Sequence, residues 1–390
     1  MSDLYARRGV SSGKEDVHAA ISHLDKGLYP NAFCKILPDY FAHSSAHACL
    51  LHTDTAGTKP ILAYLYWRET GDLDVWKGIV EDALVMNLDD MACAGMTTGF
   101  VVSSNIARNK ARIPGEVLGV LIAHADAYLN SLRKYGIEAW LAGGETADVG
   151  DLVRTLDVGY TVAGRMARDE VMEINIQPGQ VIVGVASSGQ ASYEQSWNSG
   201  IGSNGLTSAR HDLLASYYKV HYPETLEPSL EEAVTYAGKY RLTDPIAGVP
   251  VDVGHMILSP TRTYLPLLRP LLAEYRSKIG GLIHCTGGGQ TKCLHFAPQG
   301  VHIVKDNLME IPVIFREIQA AMHTPWKEMY RTFNMGHRLE IYTDADTAQV
   351  IIEQAASLHL QAQVVGRVEP GAGPKATLAV HHAGQVLQYP

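Results

Sequence analysis

Apolar and polar positions in the first half of the chain alternate in a way that predicts strands and helices in turn. Short apolar or alternating runs, typical of strands, lie at 49–52, 100–103, 140–142 and 156–165. Two longer segments, 74–94 and 116–135, carry apolar side chains at helical spacing. Within the first of them Leu84 and Leu88 share one face, and Gly95 follows where a helix commonly ends.

The second half continues this series around one irregular stretch. After a turn at 177–180, further elements are predicted at 181–186, 283–285, 312–323, 339–342 and 345–358. Residues 216–253 have weak periodicity and predict a loop-rich insertion. The first strand–helix series closes near residue 167, so we predict an α/β protein with two domains, 1–166 and 167–390.

Composition and charge narrow the class of protein. The net charge of −9 leaves no basic surplus for phosphate backbones, so we expect no nucleic-acid partner. No apolar run reaches the roughly 18 residues that a membrane helix needs, and residues 1–17 lack the apolar stretch of a signal peptide. The five cysteines are odd in number and irregularly spaced, which favours reduced thiols and a cytoplasmic enzyme.

A loop at 53–59 has the residue types of a phosphate-binding site. Gly57 allows the backbone to approach a ligand closely, Thr55 and Thr58 offer hydroxyl groups, and Lys59 offers a positive charge. The spacing of a Walker A loop is absent. An ordinary surface turn explains the same residues equally well when the loop is read alone.

Two adjacent acids, Asp89 and Asp90, lie near the end of the predicted helix 74–94. Carboxylates at this end face the negative pole of the helix dipole. No lysine or arginine occurs between Lys77 and Arg108 to offset them. A hard cation such as Mg²⁺ would supply the missing charge, and the alternative is a pair of solvated acids.

A third cluster follows the predicted strand 140–142. It consists of Gly143, Gly144, Glu145 and Thr146. Two glycines before an acid and a hydroxyl predict a tight turn that presents a carboxylate at the end of the strand, where metal-binding groups are common. A plain turn is the alternative.

The second half has three motifs of the same kind. Ser203 and Asn204 stand between glycines, and Arg331 and Asn334 precede a predicted turn. The strand at 283–285 is followed by Thr286, Gly287, Gly288 and Gly289. Consecutive glycines are costly in backbone entropy, so they favour exposed N–H groups that bind an anion. Plain turns, or a zinc site of unusual spacing, are alternatives; the candidate zinc ligands are His284, Cys285, Cys293 and His295.

Taken together and in order, these motifs resemble those of the aminoimidazole ribonucleotide synthetase family, phosphoribosylformylglycinamidine cyclo-ligase. Seven motifs of the family have counterparts in this chain. They are G-T-D-G-V-G-T-K at 52–59, N-D at 89–90, G-G-E-T-A at 143–147, S-S-G at 187–189 with S-N-G at 203–205, A-P-T-R at 259–262, T-G-G-G at 286–289 and M-Y-R-T-F-N-x-G at 329–336. The resemblance spans nearly the whole chain. It implies that the N-terminal domain pairs with a second subunit into a shared β-barrel, and that the C-terminal domain is a mixed sheet flanked by helices.

The resemblance also implies a reaction: ATP-dependent ring closure of formylglycinamidine ribonucleotide to 5-aminoimidazole ribonucleotide by a homodimer that uses Mg²⁺. It assigns Mg²⁺ to Asp54, Asp90 and Glu145. It assigns ATP to Asp54, Thr55, Gly57, Thr58, Lys59, Gly143, Gly144, Glu145 and Thr146. It assigns catalysis to Lys59, Asp90, Arg331 and Asn334. It assigns the ribonucleotide to Ser203, Asn204, Thr286, Gly287, Gly288, Gly289 and Arg331.

The chain departs from the family pattern at two positions near the candidate site. Asp89 replaces an asparagine, which makes the acidic pair more negative, and Gly202 replaces a histidine often found before S-N-G. One open alternative is another ATP-using member of the superfamily, such as the formylglycinamide ribonucleotide amidotransferase, selenophosphate synthetase, thiamine-monophosphate kinase or the hydrogenase maturation factor. The other is a non-catalytic ATP-binding scaffold, which the lack of a glycine-rich loop at 36–48 favours.

Overall fold

Two open β-sheets form the framework of the computed structural model, which describes residues 7–10, 15–21 and 23–390. The strands of the first sheet are β1 Ile36–Pro38, β2 His47–Thr55, β3 Phe100–Arg108, β4 Ala139–Asp148 and β5 Leu156–Ala167. Their order is β1-β2-β5-β3-β4, with β3 and β4 parallel and the other neighbours antiparallel. Because the sheet is open, β1 and β4 are its edges.

One long helix lies between this sheet and the second half of the chain. The helices of the first half are α1 Glu15–Ile21, α2 Lys59–Thr70, α3 Val75–Cys93 and α4 Gly115–Leu132. Helix α3 contacts β2 and β5 on one side and second-half elements on the other, so it is buried along nearly its whole length. The predicted helices 74–94 and 116–135 are confirmed. Helix α2, which the pattern did not predict, has Pro60 in its first turn and ends at Gly71 with φ 78°.

The second sheet is also mixed. Its strands are β6 Val181–Ala186, β7 Ile279–His284, β8 Val301–Lys305, β9 His337–Thr343, β10 Ala362–Pro370, β11 Thr377–His382 and β12 Gln385–Tyr389, in the order β12-β11-β8-β10-β6-β9-β7. The helices are α5 Leu206–Leu213, α6 Tyr217–His221, α7 Val253–Leu258, α8 Leu265–Tyr275, α9 Val313–Met322, α10 Trp326–Thr332 and α11 Ala345–Ser357. The predicted strands at 181–186 and 339–342 and helices at 312–323 and 345–358 are confirmed.

The prediction of a tight turn at 143–146 is wrong, because these residues lie inside β4. Gly144 pairs with Ser104 of β3 beside a register shift. A Cβ at Gly144 would lie 2.0 Å from the Ser104 hydroxyl oxygen, so the close approach of the two strands requires glycine. Residues 142–146 are exposed, and Glu145 therefore projects from an edge strand.

Residues 216–253 form the loop-rich insertion that their weak periodicity predicts. Apart from α6 and the start of α7, they contain only two single-turn 3₁₀ segments. Arg8 packs against this region and against α5, since it donates to the Val234 carbonyl at 2.9 Å and pairs with Asp212 of α5 at 2.6 Å. Across the described ranges no helix is long and apolar enough to cross a membrane, and all five cysteines are free thiols.

Candidate functional site

Segments from three separate motifs meet at residues 202–205. A Cβ built at Gly57, just after β2, would lie 3.9 Å from the carbonyl oxygen of Ser203. One built at Gly287, just after β7, would lie 3.8 Å from the side-chain oxygen of Asn204. Three motifs predicted from the sequence thus meet where the two halves of the chain come together. We call the surface bounded by Gly57, Gly287, Ser203 and Asn204 the groove.

Bare backbone forms two walls of this groove. Gly57 and Gly287 are exposed, and the φ of Gly57 is 59°. The Gly57 N–H donates to the Thr55 hydroxyl at 3.1 Å, whereas Gly287 belongs to a glycine loop of the kind whose N–H groups bind anions. Gly289 differs, because a Cβ there would lie 2.6 Å from the Phe333 carbonyl oxygen. Gly289 is therefore required by packing, whereas Gly57 and Gly287 are open towards the groove.

Lys59, the predicted phosphate-binding lysine, is the first residue of α2 and is fully buried. Its ammonium donates to Asp82 Oδ1 at 3.0 Å, to the Gly202 carbonyl at 3.0 Å and to the Ser259 carbonyl at 2.6 Å. Burial lowers the pKa of Lys59, against the attraction of Asp82. Protein oxygens take up its donors, so Lys59 ties the loop before α2 to two segments of the second half.

Two carboxylates of α3 hold an extended segment, residues 259–264, which we name the interdomain strap. Asp82 accepts hydrogen bonds from the Thr261 N–H at 2.8 Å and from the Thr261 hydroxyl at 2.6 Å. Asp89, on the same helix face two turns later, accepts from the Thr263 hydroxyl at 2.6 Å and from the next backbone N–H at 2.8 Å. Burial raises the pKa of both acids, although these donors oppose the shift. Asp89 therefore anchors the strap.

The other side of the strap grips the second sheet through Arg262. Its guanidinium donates to the carbonyls of Ala186 and Ser188 at 2.9 Å each, and pairs with Glu194 at 2.5 Å. Such bidentate pairing fixes the guanidinium plane. The strap thus connects α3 to the loop after β6, which carries the S-S-G motif.

Asp90 bridges two histidines. Its Oδ1 lies 2.7 Å from His284 Nδ1, and its Oδ2 lies 3.6 Å from His52 Nε2. His284 is fully buried, and its Nε2 has no hydrogen-bond partner among the described residues. Since Asp89 and Asp90 are only 1% and 8% exposed, the alternative of two solvated acids is excluded.

The three residues predicted as Mg²⁺ ligands do not meet within one chain. In the strand register, Asp54 of β2 and Gly144 of β4 lie on one row across β5 and β3, which is three strand spacings, or about 14 Å. The carboxylate of Asp90, the third candidate, already binds His284. The described part of the chain holds no group of three His, Cys, Asp or Glu side chains that could bind a metal ion. One chain alone therefore does not fit a complete Mg²⁺ or zinc site.

The motif at 329–336 contributes one buried and one exposed candidate. Asn334 accepts from the Ser187 hydroxyl at 2.8 Å and donates to the Gly200 carbonyl at 2.7 Å. Its amide therefore joins the loops on both sides of the groove floor. Arg331, at the end of α10, is exposed.

A buried polar network lies behind the glycine loop 286–289. The Lys305 ammonium pairs with Glu340, and it donates to the Gln290 carbonyl at 2.7 Å and to the Gln290 side chain at 3.0 Å. Gln290 in turn donates to the His337 carbonyl at 3.0 Å. Burial opposes ionisation of Glu340, but Lys305 and His337 outweigh it and lower the pKa of Glu340 to about 2. This network fixes the residue that follows the glycine run.

Several residues that organise the site were not predicted. They are His52, Asp82, Thr261, Arg338 and, outside the zinc alternative, His284. One signal existed, since apolar residues occur on all sides of α3 and are not confined to one face, which indicates a helix buried nearly all round whose acids need partners. The partners of Asp82 and Asp90 lie 179 and 194 positions later in the chain, so no local pattern indicates them.

Known family models match nearly the whole framework. The AIR synthase related protein, N-terminal domain, matches residues 36–166. The AIR synthase related protein, C-terminal domain, matches residues 177–379, which is more than half of the chain. The two matches correspond to the first sheet and to most of the second.

Individual proteins agree with this match. The chain is 28% identical to a phosphoribosylformylglycinamidine cyclo-ligase of Methanocaldococcus jannaschii, over 82% of this chain and 77% of that protein. It is 27% identical to a protein of the same name from Carboxydothermus hydrogenoformans, over 93% and 94%.

Two solved structures share the fold. The hydrogenase maturation protein HypE has a TM-score of 0.52 at 14% identity, over 87% of this chain and 88% of that one. T. maritima PurL complexed with AMPPCP has a TM-score of 0.50 at 15% identity, over 100% of this chain. The chain spans about half of that PurL chain, 49% of its length. At such identities the likeness concerns the fold alone.

Proposed function

The chain belongs to the AIR synthase related family, and on that premise we propose that it is an ATP-dependent cyclo-ligase. It closes formylglycinamidine ribonucleotide to 5-aminoimidazole ribonucleotide, and the other products are ADP and phosphate. Relatives named phosphoribosylformylglycinamidine cyclo-ligase match over 82% and 93% of the chain, which supports a ligase of purine synthesis.

The groove at residues 202–205 is the observation that carries this proposal. A reaction between ATP and a ribonucleotide needs the two held side by side, with the reacting atoms aligned. The groove is bounded by Gly57 from the first half and by Gly287 from the second, over a floor of Ser203 and Asn204. Each half thus offers a wall for one of the two ligands.

We assign the ATP phosphates to the first-half wall. Gly57 offers bare backbone, and the hydroxyl of Thr58 is held by Thr207 at 3.0 Å. Thr55 bonds the Gly57 N–H at 3.1 Å and so shapes the loop. Lys59 acts here as a positioning residue, because its ammonium is enclosed by protein oxygens.

We assign the ribonucleotide to the second-half wall. Its phosphate lies against Ser203, Asn204 and the loop 286–289, and the exposed Arg331 supplies a cation for it. Asn334 is a positioning residue, because its amide is used in joining the loops that carry these groups.

The chemistry that this arrangement serves is phosphoryl transfer followed by ring closure. The γ-phosphoryl group passes from ATP to the formamide oxygen, the amidine nitrogen attacks the activated carbon, and phosphate leaves with that oxygen as one proton is released. The protein contributes alignment and preorganised N–H and hydroxyl donors for the transferring phosphoryl group. Mg²⁺, when bound with ATP, supplies further neutralisation of its charge.

We propose that a homodimer completes the site. Glu145 pairs in register with the exposed Asn105. Asp54 lies two residues after His52, whose side chain faces α3. Because side chains alternate between the two faces along a strand, Asp54 also faces α3, on the opposite side of the sheet from Asn105. An ATP–Mg²⁺ complex that touches both Asp54 and Glu145 therefore needs Glu145 from the partner subunit.

The outer face of the first sheet supports such a dimer. Leu51 pairs with Ala163, Ala163 with Val101, and Val101 with Trp140, so these residues form one row across four strands. Leu51, Val101 and Trp140 are 62%, 48% and 52% exposed. A contiguous exposed apolar row of this kind marks an interaction surface, and a second copy that closes the two sheets into a barrel would cover it.

We further propose the domain limits 1–166 and 167–390, because the first sheet ends at Ala167 and the second begins at Val181. Five free thiols favour a reducing compartment, and we propose the cytoplasm.

The function is tested by ADP release from ATP and Mg²⁺ in the presence and absence of formylglycinamidine ribonucleotide. We expect substrate-dependent ADP with a matching aminoimidazole product. Asp90→Asn should lose it, and the exposed Asp126→Asn should retain it. ATP binding without substrate-dependent ADP would indicate a scaffold. ADP release that needs another acceptor would indicate a different member of the superfamily.

The shared site is tested by mixing two inactive variants, Asp54→Ala and Glu145→Ala. If each site takes one of these residues from each subunit, mixed dimers contain one intact site, and activity returns to about a quarter of the wild-type level for random pairing. The Asp54→Ala/Glu145→Ala double variant mixed with wild type is the control. No recovery in proven mixed dimers would contradict the shared site.

A further inference from the structure

Arg338 is a buried cation that the proposed function has not used. It is the second residue of β9 and is 2% exposed. Its Nη2 donates to the Arg262 carbonyl at 2.7 Å. Its Nε and Nη1 have no hydrogen-bond partner, and no carboxylate pairs with it within the described ranges. The Tyr264 ring lies 5.7 Å from its Cζ, and the Asp89 carboxylate interacts with it electrostatically without a direct ion pair. Two unsatisfied buried N–H groups are unfavourable, so the retention of Arg338 needs an explanation.

The unpaired side of Arg338 faces Gly202. A Cβ built at Gly202 would lie 2.9 Å from Arg338 Nη1 and 3.8 Å from the Thr261 hydroxyl oxygen. Gly202 also has a φ of 67°, in the left-handed region that favours glycine. Two separate constraints, the backbone conformation and the guanidinium, therefore disfavour a side chain at residue 202.

Gly202 lies between two buried cations with different surroundings. Its carbonyl accepts from Lys59, which is neutralised by Asp82 at 2.8 Å, whereas its α-carbon faces Arg338, which has no direct ion pair among the described residues. The next two residues are the groove floor, Ser203 and Asn204. The field of an unpaired buried cation acts through a low dielectric and is weakly screened by salt. Arg338 thus places a positive charge beside the loop that begins at Gly202.

We propose that Arg338 is a positioning residue of the groove floor. It fixes the position of the loop 202–204, and its positive charge favours the binding of a phosphate group there. In this arrangement residue 202 must be glycine because the guanidinium takes the space of a side chain. The inference rests on the proposed placement of the ribonucleotide phosphate at Ser203 and Asn204.

The test is a double-mutant cycle between residues 202 and 338, read as kinetics and as phosphate binding. Arg338→Met should raise the KM for the ribonucleotide about tenfold, with kcat and the KM for ATP changed by about threefold or less. Arg338→Lys, which keeps the charge, should recover most of that loss. Gly202→Ala should raise the same KM about tenfold in wild type, but about twofold or less in the Arg338→Met background.

Gly136→Ala is the matched control for backbone strain. Gly136 has a φ of 72° and no atom within 4 Å of a built Cβ, so its replacement shares the strain of Gly202→Ala but not the contact with Arg338. It should leave the KM unchanged. Equal effects of Gly202→Ala in both backgrounds would overturn the proposal, as would an Arg338→Met variant that loses thermal stability alone.

A binding measurement separates this inference from the proposed function. Inorganic phosphate should raise the unfolding temperature of the wild-type protein and of Arg338→Lys, but not that of Arg338→Met. Phosphate stabilisation that depends on Arg338, without any cyclo-ligase turnover, would retain the inference and remove the assigned reaction. Cyclo-ligase turnover together with phosphate stabilisation that Arg338→Met leaves unchanged would retain the assigned reaction and overturn the inference.

Discussion

Two buried lysine–carboxylate pairs occur in the part of the chain that the structure describes, and they differ in what they join. Lys59 contacts Asp82, Gly202 and Ser259, which are 23, 143 and 200 positions away. Lys305 contacts Gln290 and Glu340, which are 15 and 35 positions away. All four ionisable side chains are fully buried. The first pair lies within the first half, but its lysine also bonds two second-half carbonyls and so joins the two halves, whereas the second pair forms within the second sheet.

The surroundings of the two carboxylates also differ. Burial raises the pKa of Asp82, despite the opposing effect of Lys59 and Thr261. At Glu340 burial is outweighed by Lys305 and His337, and the pKa falls to about 2. The Tyr342 hydroxyl also donates to Glu340, at 2.9 Å. The Lys305–Glu340 pair thus favours the charged carboxylate within the second sheet. The Lys59–Asp82 pair, whose lysine also bonds the second half, favours it less.

The largest expected effect follows from Lys305→Met, which leaves the Glu340 carboxylate buried without its cation. Stranding one partner of a buried pair costs about 3–5 kcal/mol of unfolding free energy. Urea unfolding measures it. The double variant Lys305→Met/Glu340→Leu should lose less, because no charge is left behind. A single-variant loss below about 1 kcal/mol would mean that the pair does not support the second sheet.

The pH dependence of the Glu340 contribution should come next. The folded pKa of about 2 lies below the ordinary value of 4.5, so the stabilisation is fully present above about pH 4.5 and is lost as the pH falls towards 2. The difference in unfolding free energy between wild type and Glu340→Gln should shrink by up to about 3 kcal/mol over that window. A difference that stays constant from about pH 6 to pH 3 would contradict the lowered pKa.

Lys59→Met should cost less, about 2–3 kcal/mol, because the raised pKa of Asp82 lets the stranded carboxyl take up a proton. It should also lower kcat about tenfold or more, since both walls of the groove lose their common support. Urea unfolding and ADP release measure the two effects. Lys77→Met, at a partly exposed lysine of α3, is the control and should change neither. A stability loss without a change in kcat would refute the positioning role.

The smallest effect should come from an exposed pair. Arg367 bonds Asp306 and Glu369 at about half exposure, so Arg367→Ala should cost about 1 kcal/mol or less. Added salt should reduce that cost, whereas the cost of Lys305→Met should be nearly independent of salt. Equal salt sensitivity of the two variants would mean that burial does not distinguish them.

Much of the framework could be predicted from local pattern. Strand β6 and helices α3 and α11 match their predicted positions, because apolar periodicity over such lengths reports which face is buried. Helix α2 was not predicted, since its exposed and buried sides give almost no periodic contrast. The turn at 143–146 was wrong because two glycines and an acid fit a strand bulge at a sheet edge as well as they fit a turn.

The candidate site was predictable in its parts and not in its arrangement. The order of the motifs indicated the family and brought Gly57, Ser203, Asn204 and Gly287 into consideration, and these residues do meet. Whether a charged side chain faces a ligand or another side chain depends on contacts across the whole chain. Lys59 is enclosed and Asp90 is taken up by His284, although their residue types favour phosphate and metal.

The sequence alone therefore determined the α/β class, the two series of elements and the set of glycine, serine and asparagine residues that meet at the groove. These properties depend on local periodicity and on motif order, which are legible along the chain. Tertiary structure alone decided which ionisable groups are buried, which pair with one another, and that Arg338 lies beside Gly202 with two N–H groups unsatisfied. The physical reason is that burial and pairing are set by segments about 140 to 200 positions apart, whose meeting no local pattern records.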